Sequence, residues 1–233
     1  MRKRAVFASI LLGIFFPILV FSAALQLAVF DKSFFTAELE YNRVSLNTGI
    51  SREELSEVTD EIFDYLKGKR PDFNIHAEIK GKDRALFNAD EITHMKDVLF
   101  LYRIVWWSGF AALAVSILSI VLLLLWDRRG IGRGILTGAL VMLLLILILG
   151  VAGYFDFTAV FEGAHRLIFT NDLWYLDPSE SVLINIVPEH YFIHLCLRIA
   201  LYMTGTLVAA AVLSGLGLRI GKRKHERIRN RKF

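Results

Sequence analysis

Residues 131–153 read IGRGILTGALVMLLLILILGVAG, with no ionisable side chain from Ile135 to Gly153. A helix needs roughly 20 mostly apolar residues to cross a bilayer, so this stretch predicts a membrane span. Three further runs meet the same test, 5–30, 99–126 and 192–218. The whole chain has 233 residues, 55% of them hydrophobic, and a mean hydropathy of +0.49. That exceeds the ~45–50% apolar share of ordinary soluble domains. The expected fold class is a mainly α membrane protein with four transmembrane helices.

Working outward, the spans divide the chain into a first outer loop, 31–98, a short connection, 127–130, a second outer loop, 154–191, and a basic tail, 219–233. Lys and Arg near span ends mark the cytoplasmic side. Arg2, Lys3 and Arg4 precede the first span, Arg128, Arg129 and Arg133 flank the short connection, and the tail is rich in both residues. Of the 23 acids, all but Asp127 and Glu226 fall in the two remaining loops. Both termini are therefore expected in the cytoplasm, and the two loops are expected to form an extracytoplasmic cap. The basic tail adjoins a span and is poor in aromatics, which favours lipid headgroups over nucleic acid as its partner. The first run is too long for a signal-peptide core of ~7–15 residues and reads as a retained anchor. Pro17 in its middle is expected to kink it.

In the first loop, Ser51-Arg-Glu-Glu54 fits a capping box, and Leu55, Val58, Ile62 and Leu66 continue it at helical spacing to about Gly68. Phe73 to Ile79 alternates apolar with polar, predicting a strand; with a turn at Lys80–Asp83 and a return at Arg84–Phe87 it makes a short β-hairpin. Asn88-Ala-Asp-Glu91 is a second cap signal, from which a helix can run unbroken into the second span. On that helix Asp90, Glu91 and Asp97 are neighbours of His94, and Tyr102 follows in the same line.

In the second loop, Phe157, Phe161, His165 and Phe169 recur at spacing four, which places His165 in an aromatic face if the segment is helical. Turn residues then surround Trp174 and Tyr175, and the apolar Val182–Val187 is expected to dip into the interface or pack on the cap. His190, His194, Arg198 and Tyr202 form one stripe on the fourth helix. Arg103 and Arg198 lie at similar depth in their spans, where ionisable groups are costly and usually face a polar interior.

The single Cys196 has no partner for a disulfide, and no hydrolase elbow, zinc-protease, Walker or dinucleotide motif occurs. His190 and His194 at spacing four are a weak metal signal, and no metal is assigned. His94 and His165, each near the outer boundary with acids and aromatics at hand, suit paired acid–base chemistry without a cofactor. A small proton-coupled transporter and a non-enzymatic membrane sensor remain alternatives on these residues.

The runs Phe87-Asn-Ala-Asp-Glu-Ile-Thr-His94-Met-Lys-Asp-Val98, Phe157 to His165, Phe169-Thr-Asn-Asp-Leu-Trp174 and Pro188-Glu-His-Tyr-Phe192 resemble the bacterial lipoprotein intramolecular transacylases, along essentially the whole chain. The resemblance implies a membrane acyltransferase. It would move an acyl chain from the sn-2 position of a lipoprotein's diacylglyceryl group to the α-amine of its N-terminal cysteine, giving a lyso-form lipoprotein. It maps the catalytic pair to His94 and His165. Arg103, Arg198, Tyr102, Trp174 and Tyr175 are the expected substrate-binding residues, and Asp90, Glu91 and Asp97 the candidate orienters of His94. The expected partners are a diacylglyceryl lipoprotein and membrane lipid.

Overall fold

The computed structural model describes residues 3–79 and 82–230, without the side chains of 223–230. Arg2, the hairpin turn residues Lys80 and Gly81, and the side chains of the distal basic tail lie outside the described residues. In chain order the elements are α1 (Lys3–Val29), α2 (Lys32–Tyr41), α3 (Val44–Thr48), α4 (Arg52–Leu66), β1 (His76–Ile79), β2 (Lys82–Ala85), α5 (Ala89–Trp126), α6 (Arg129–Phe155), α7 (Phe157–Ile168), α8 (Val182–Ile186) and α9 (Glu189–Asn230). Four of them, α1, α5, α6 and α9, are long and apolar enough to cross a membrane, and the chain is a multi-pass membrane protein. It divides into two compact units. One comprises α1 to Leu25, α5 from Trp106, α6 to Val151 and α9 from Ile199; the other comprises Gln26–Val105 and Ala152–Arg198.

In the first unit, packing relies on small residues. Lipid is as apolar as leucine, so membrane helices associate where small side chains let backbones approach. The buried positions of α6 are Gly130, Gly134, Gly138 and Ala139, whereas Leu144, Leu147 and Ile148 are exposed. Ser9 Oγ donates to the Gly130 carbonyl at 2.8 Å. A Cβ at Gly138 would lie 2.1 Å from the Gly13 carbonyl oxygen, and one at Gly134 would lie 2.5 Å from that of Ser9. The helix α1 runs continuously through Pro17. Val20, Ala24, Ala139, Met203 and Leu207 form a second contact region.

The second unit packs as a soluble domain does, around aromatic and branched side chains. Phe35 and Leu39 of α2, Val58, Ile62 and Phe63 of α4, Phe73, Ile75, Phe87, Met95, Leu183, Ile186 and Tyr191 share one buried core. The apolar run at α8 therefore packs into the cap. Ser51 Oγ accepts from Glu54 N as expected, but the Glu54 carboxylate accepts from Glu78 N, on β1, at 2.8 Å. It stitches helix to hairpin instead of closing a box with Ser51. The helix ends at Leu66, and Gly68, just past its C-cap Lys67, has a φ of 75° that suits a residue without a Cβ. The hairpin forms with register His76↔Ala85 to Ile79↔Lys82. Its return strand begins at Lys82, earlier than the expected Arg84, because Lys82 and Asp83 already pair with Ile79 and Glu78. His76 is on the outer face, 3.4 Å from Asp83.

A full capping box opens α5. Asn88 Oδ1 accepts from Glu91 N at 2.9 Å, and Glu91 Oε2 accepts from Asn88 N at 2.6 Å. The other Glu91 oxygen accepts from Ser181 Oγ at 2.6 Å and Leu183 N at 2.8 Å. Glu91 is 1% exposed, so this one carboxylate holds the second loop against the start of α5. At 38 residues, α5 is roughly 57 Å long. That is nearly twice the ~30 Å hydrocarbon thickness, and its charged first ten residues precede the apolar run.

Two thermal-melt comparisons in detergent follow. Gly138→Ala forces a methyl group into a backbone contact and should cost about 1–3 kcal/mol, whereas Gly150→Ala, with nothing within 4 Å, should be near neutral. Glu91→Ala strands three donors and should cost about 2–4 kcal/mol, with the loss localised by hydrogen exchange to 178–187 and the start of α5.

Candidate functional site

His94 and His165 come from different loops and meet in the second unit. His94 sits on α5 just after its cap and is 8% exposed. His165 sits on α7, a helix started by Asp156, whose side chain accepts from Ala159 N at 2.8 Å. Their ring centroids are 6.5 Å apart and the planes are inclined by 32°. This is too far for a direct hydrogen bond, which would need nitrogens ~3 Å apart, and leaves room for reacting atoms.

An aromatic shell surrounds the pair. Phe169 touches both rings, at 5.2 Å from His94 and 5.4 Å from His165. Phe161 lies 4.0 Å and Trp174 5.2 Å from His165. The helix α7 stops at Ile168 and Phe169 is its extended C-cap residue, so the spacing-four aromatic face seen in the sequence persists one step past the helix. Tyr175 meets Trp174 edge-on at 5.8 Å and is itself 72% exposed.

The two histidines differ electrostatically. The His94 imidazole is pushed down to about 4, chiefly by burial in this apolar shell and then by the neighbouring His165, with Asp97 opposing both. Desolvation wins because it penalises the charged form directly. His94 is therefore neutral at physiological pH, with its Nδ1 buried and unpaired in protein hydrogen bonds. His165 Nδ1 lies 2.7 Å from the Phe161 carbonyl oxygen. A carbonyl can only accept, so Nδ1 carries the proton, which leaves Nε2 as the nitrogen open to proton exchange.

The three acids near His94 do other work. Glu91 anchors the second loop as described, and Asp90 is solvent-exposed beside the cap. Asp97 accepts from Asn171 Nδ2 at 2.9 Å, while Asn171 Oδ1 accepts from Leu173 N at 3.1 Å. Asn171 thus ties the turn between Phe169 and Trp174 to α5. The sequence marked it only as a turn residue; its reach to Asp97, 74 positions away, left no local signal.

The remaining expected binding residues gather elsewhere in this unit. Tyr102 is eight residues along α5 from His94, about 12 Å of helix rise; its hydroxyl donates to Gln26 Oε1 at 2.8 Å. Arg103 lies beside Gly68 at the end of α4. Arg198 pairs with Asp31 and lies 4.7 Å over the Phe34 ring. His194 Nδ1 is 2.9 Å from both oxygens of the buried Glu38, and His190 is exposed. Among the described residues no three His, Cys, Asp or Glu side chains cluster as metal ligands.

Residues 10–192 match the family model described as lipoprotein intramolecular transacylase Lit. No curated protein matches the sequence. Among solved structures, the membrane integral lipoprotein intramolecular transacylase Lit from Bacillus cereus is similar, with a TM-score of 0.80 and 18% identity over 96% of this chain and 100% of that one. A variant of the same enzyme with one histidine replaced by alanine aligns with a TM-score of 0.73 and 18% identity, covering 95% of this chain and 96% of that one. The shared fold is that of a membrane protein, and the family match spans most of the sequence. The chain belongs to the lipoprotein intramolecular transacylase family, which are membrane acyltransferases.

Proposed function

We propose that the chain transfers an acyl group from the sn-2 oxygen of a lipoprotein's diacylglyceryl group to the α-amine of the N-terminal cysteine, with His94 and His165 as the catalytic pair on the extracytoplasmic side and both termini in the cytoplasm. The observation that carries this reading is the unequal histidine pair in one aromatic pocket: one imidazole kept neutral by burial, the other held in a single tautomer. His165 Nε2 takes the proton of the attacking amine. His94 is a poor proton acceptor but a good neutral donor, and its N–H stabilises the charge that develops on the ester carbonyl oxygen. The new N–C bond forms, the C–O bond to glycerol breaks, and the proton held by His165 passes to the departing glyceryl oxygen.

Nucleophile and ester belong to one molecule, so the attack closes an eight-membered ring and the main task is conformational. Holding reactants aligned can supply ~7–11 kcal/mol. Phe161, Phe169 and Trp174 supply the walls for this and exclude the water that would otherwise hydrolyse the ester. Tyr175, at the exposed edge of Trp174, is placed to meet the substrate first. Tyr102, Arg103 and Arg198 would act farther along, on polar groups of the lipid or peptide.

The test uses purified protein and a synthetic diacylated lipopeptide with a free N-terminal cysteine. Tandem mass spectra should show one chain moved to nitrogen at unchanged mass, and a mixture of isotope-labelled and unlabelled lipopeptides should give no crossover. His94→Ala and His165→Ala should each lower kcat/KM by about 10²-fold or more. A released fatty acid, or full activity in both variants, would refute the assignment.

Two pH effects follow from the position of His94. The rate should rise with pH as the substrate amine, with an ordinary pKa of ~7.7–8.0, loses its proton, and the residual activity of His94→Asn should keep the same profile. Stability runs the other way from that of an ion-paired histidine. The folded ring titrates near 4 and the unfolded one near ~6.5, so the unfolded state binds more protons between these values. Stability should be full above about 6.5 and fall as pH drops toward 4, and His94→Asn should flatten that slope in melts taken across the window.

A further inference from the structure

The helix α7 carries three distinct stripes at helical spacing. Phe157, Phe161 and His165 form the first, and this one faces the site: Phe161 meets Phe192 at 5.1 Å and His165 meets Trp174. Thr158, Glu162 and Arg166 form the second, a polar one, in which Thr158 donates to Glu189 at 2.9 Å and Arg166 pairs with Glu162 at 2.8 Å. Val160, Ala164 and Leu167 form the third. It is apolar, and Leu167 is 86% exposed with Ile168 beside it at 50%. No residue of α7 is buried. Asp156 alone separates this helix from α6, whose last two residues, Tyr154 and Phe155, are 86% and 81% exposed.

We propose that α7 is an interfacial helix, and that the partner of its third stripe is the headgroup–acyl boundary of the outer leaflet. One flank faces the site, one faces water and one faces lipid. The argument for lipid is connectivity. The preceding 27 residues of α6 form a membrane span, and one residue cannot carry the start of α7 away from the boundary at which that span ends; the exposed apolar stripe is what would keep the rest of the helix there. Exposed Tyr and Phe at that point match the aromatic belt of a membrane interface. A helix with a large apolar flank and a charged one lies in the interface plane with the apolar flank embedded by ~5–10 Å. The consequence for catalysis rests on the transacylase reading: the leaflet itself seats the helix bearing His165 at the depth of the lipid ester.

The test places nitroxide labels at Leu167→Cys and Glu162→Cys, each in a Cys196→Ser background, with the full chain in nanodiscs of phosphatidylcholine and phosphatidylglycerol. The Leu167 label should be reached by oxygen in preference to a water-soluble nickel chelate, and the Glu162 label should show the opposite order. Equal nickel access at both positions, or a Leu167 label shielded from both reagents as under a protein partner, overturns the proposal. This readout is independent of the reaction, so it separates failure of the lipid contact from failure of the transacylase reading. With lipopeptide substrate in the same nanodiscs, Leu167→Asp should lose about tenfold or more in turnover while Leu167→Phe retains it. Equal turnover in the two folded variants would overturn the catalytic consequence.

Discussion

Two carboxylates on α5 bracket His94, Glu91 three residues before it and Asp97 three residues after, and the second loop depends on both. Glu91 accepts from Ser181 and Leu183 while closing its own helix cap, and Asp97 accepts from Asn171. Phe169 and Trp174, which pack on the histidines, lie on either side of the Asn171 tie. His94 and His165 are 71 residues apart in sequence, and aromatic contact alone has little directional preference. The two carboxylate anchors, Glu91 buried and Asp97 partly so, convert that contact into a fixed arrangement, because hydrogen bonds to carboxylates are strong and costly to break.

The same bonds set the electrostatics of the pair. A carboxylate hydrogen-bonded to His94 would favour the imidazolium. Here the nearby acids are satisfied by a serine, an asparagine and backbone amides, so they position the pocket without charging the ring. Asp97 still pulls toward protonation, and burial outweighs it. For the proposed amine nucleophile this matters, because a permanent cation at His94 would oppose His165 taking up a second positive charge with the amine's proton. A neutral donor beside a tautomer-fixed acceptor, within an apolar shell, is what the proposed aminolysis would need.

What was legible in the sequence follows from range. The spans were readable because each is a continuous composition signal, and the unbroken run from the Asn88 cap into α5 was readable because both signals are local. His165 in an aromatic face was readable from spacing four. The three neighbours of His94 were also correctly placed on its helix, but their partners lie on other elements. Helical phase finds which residues share a face and is silent on what that face meets. The stripe His194–Arg198 has the same limit: its partners, Glu38 and Asp31, are more than 150 positions away on α2 and its cap. At Ser51 the capping signal was right for the serine and incomplete for Glu54, because a β-strand amide competed for the same carboxylate.

The two units pack by opposite rules, and the difference is one of solvent. Where helices face lipid, burying leucine against leucine gains little over leaving it in acyl chains, so α1 and α6 meet through Ser9, Gly13, Gly134 and Gly138, and large side chains of α6 such as Leu144 and Leu147 are exposed. Where water is the alternative, burial of Phe, Ile and Leu stabilises strongly, and the cap holds a conventional core. His94 belongs to that second regime. Burial beside Phe169 keeps its imidazole neutral at physiological pH.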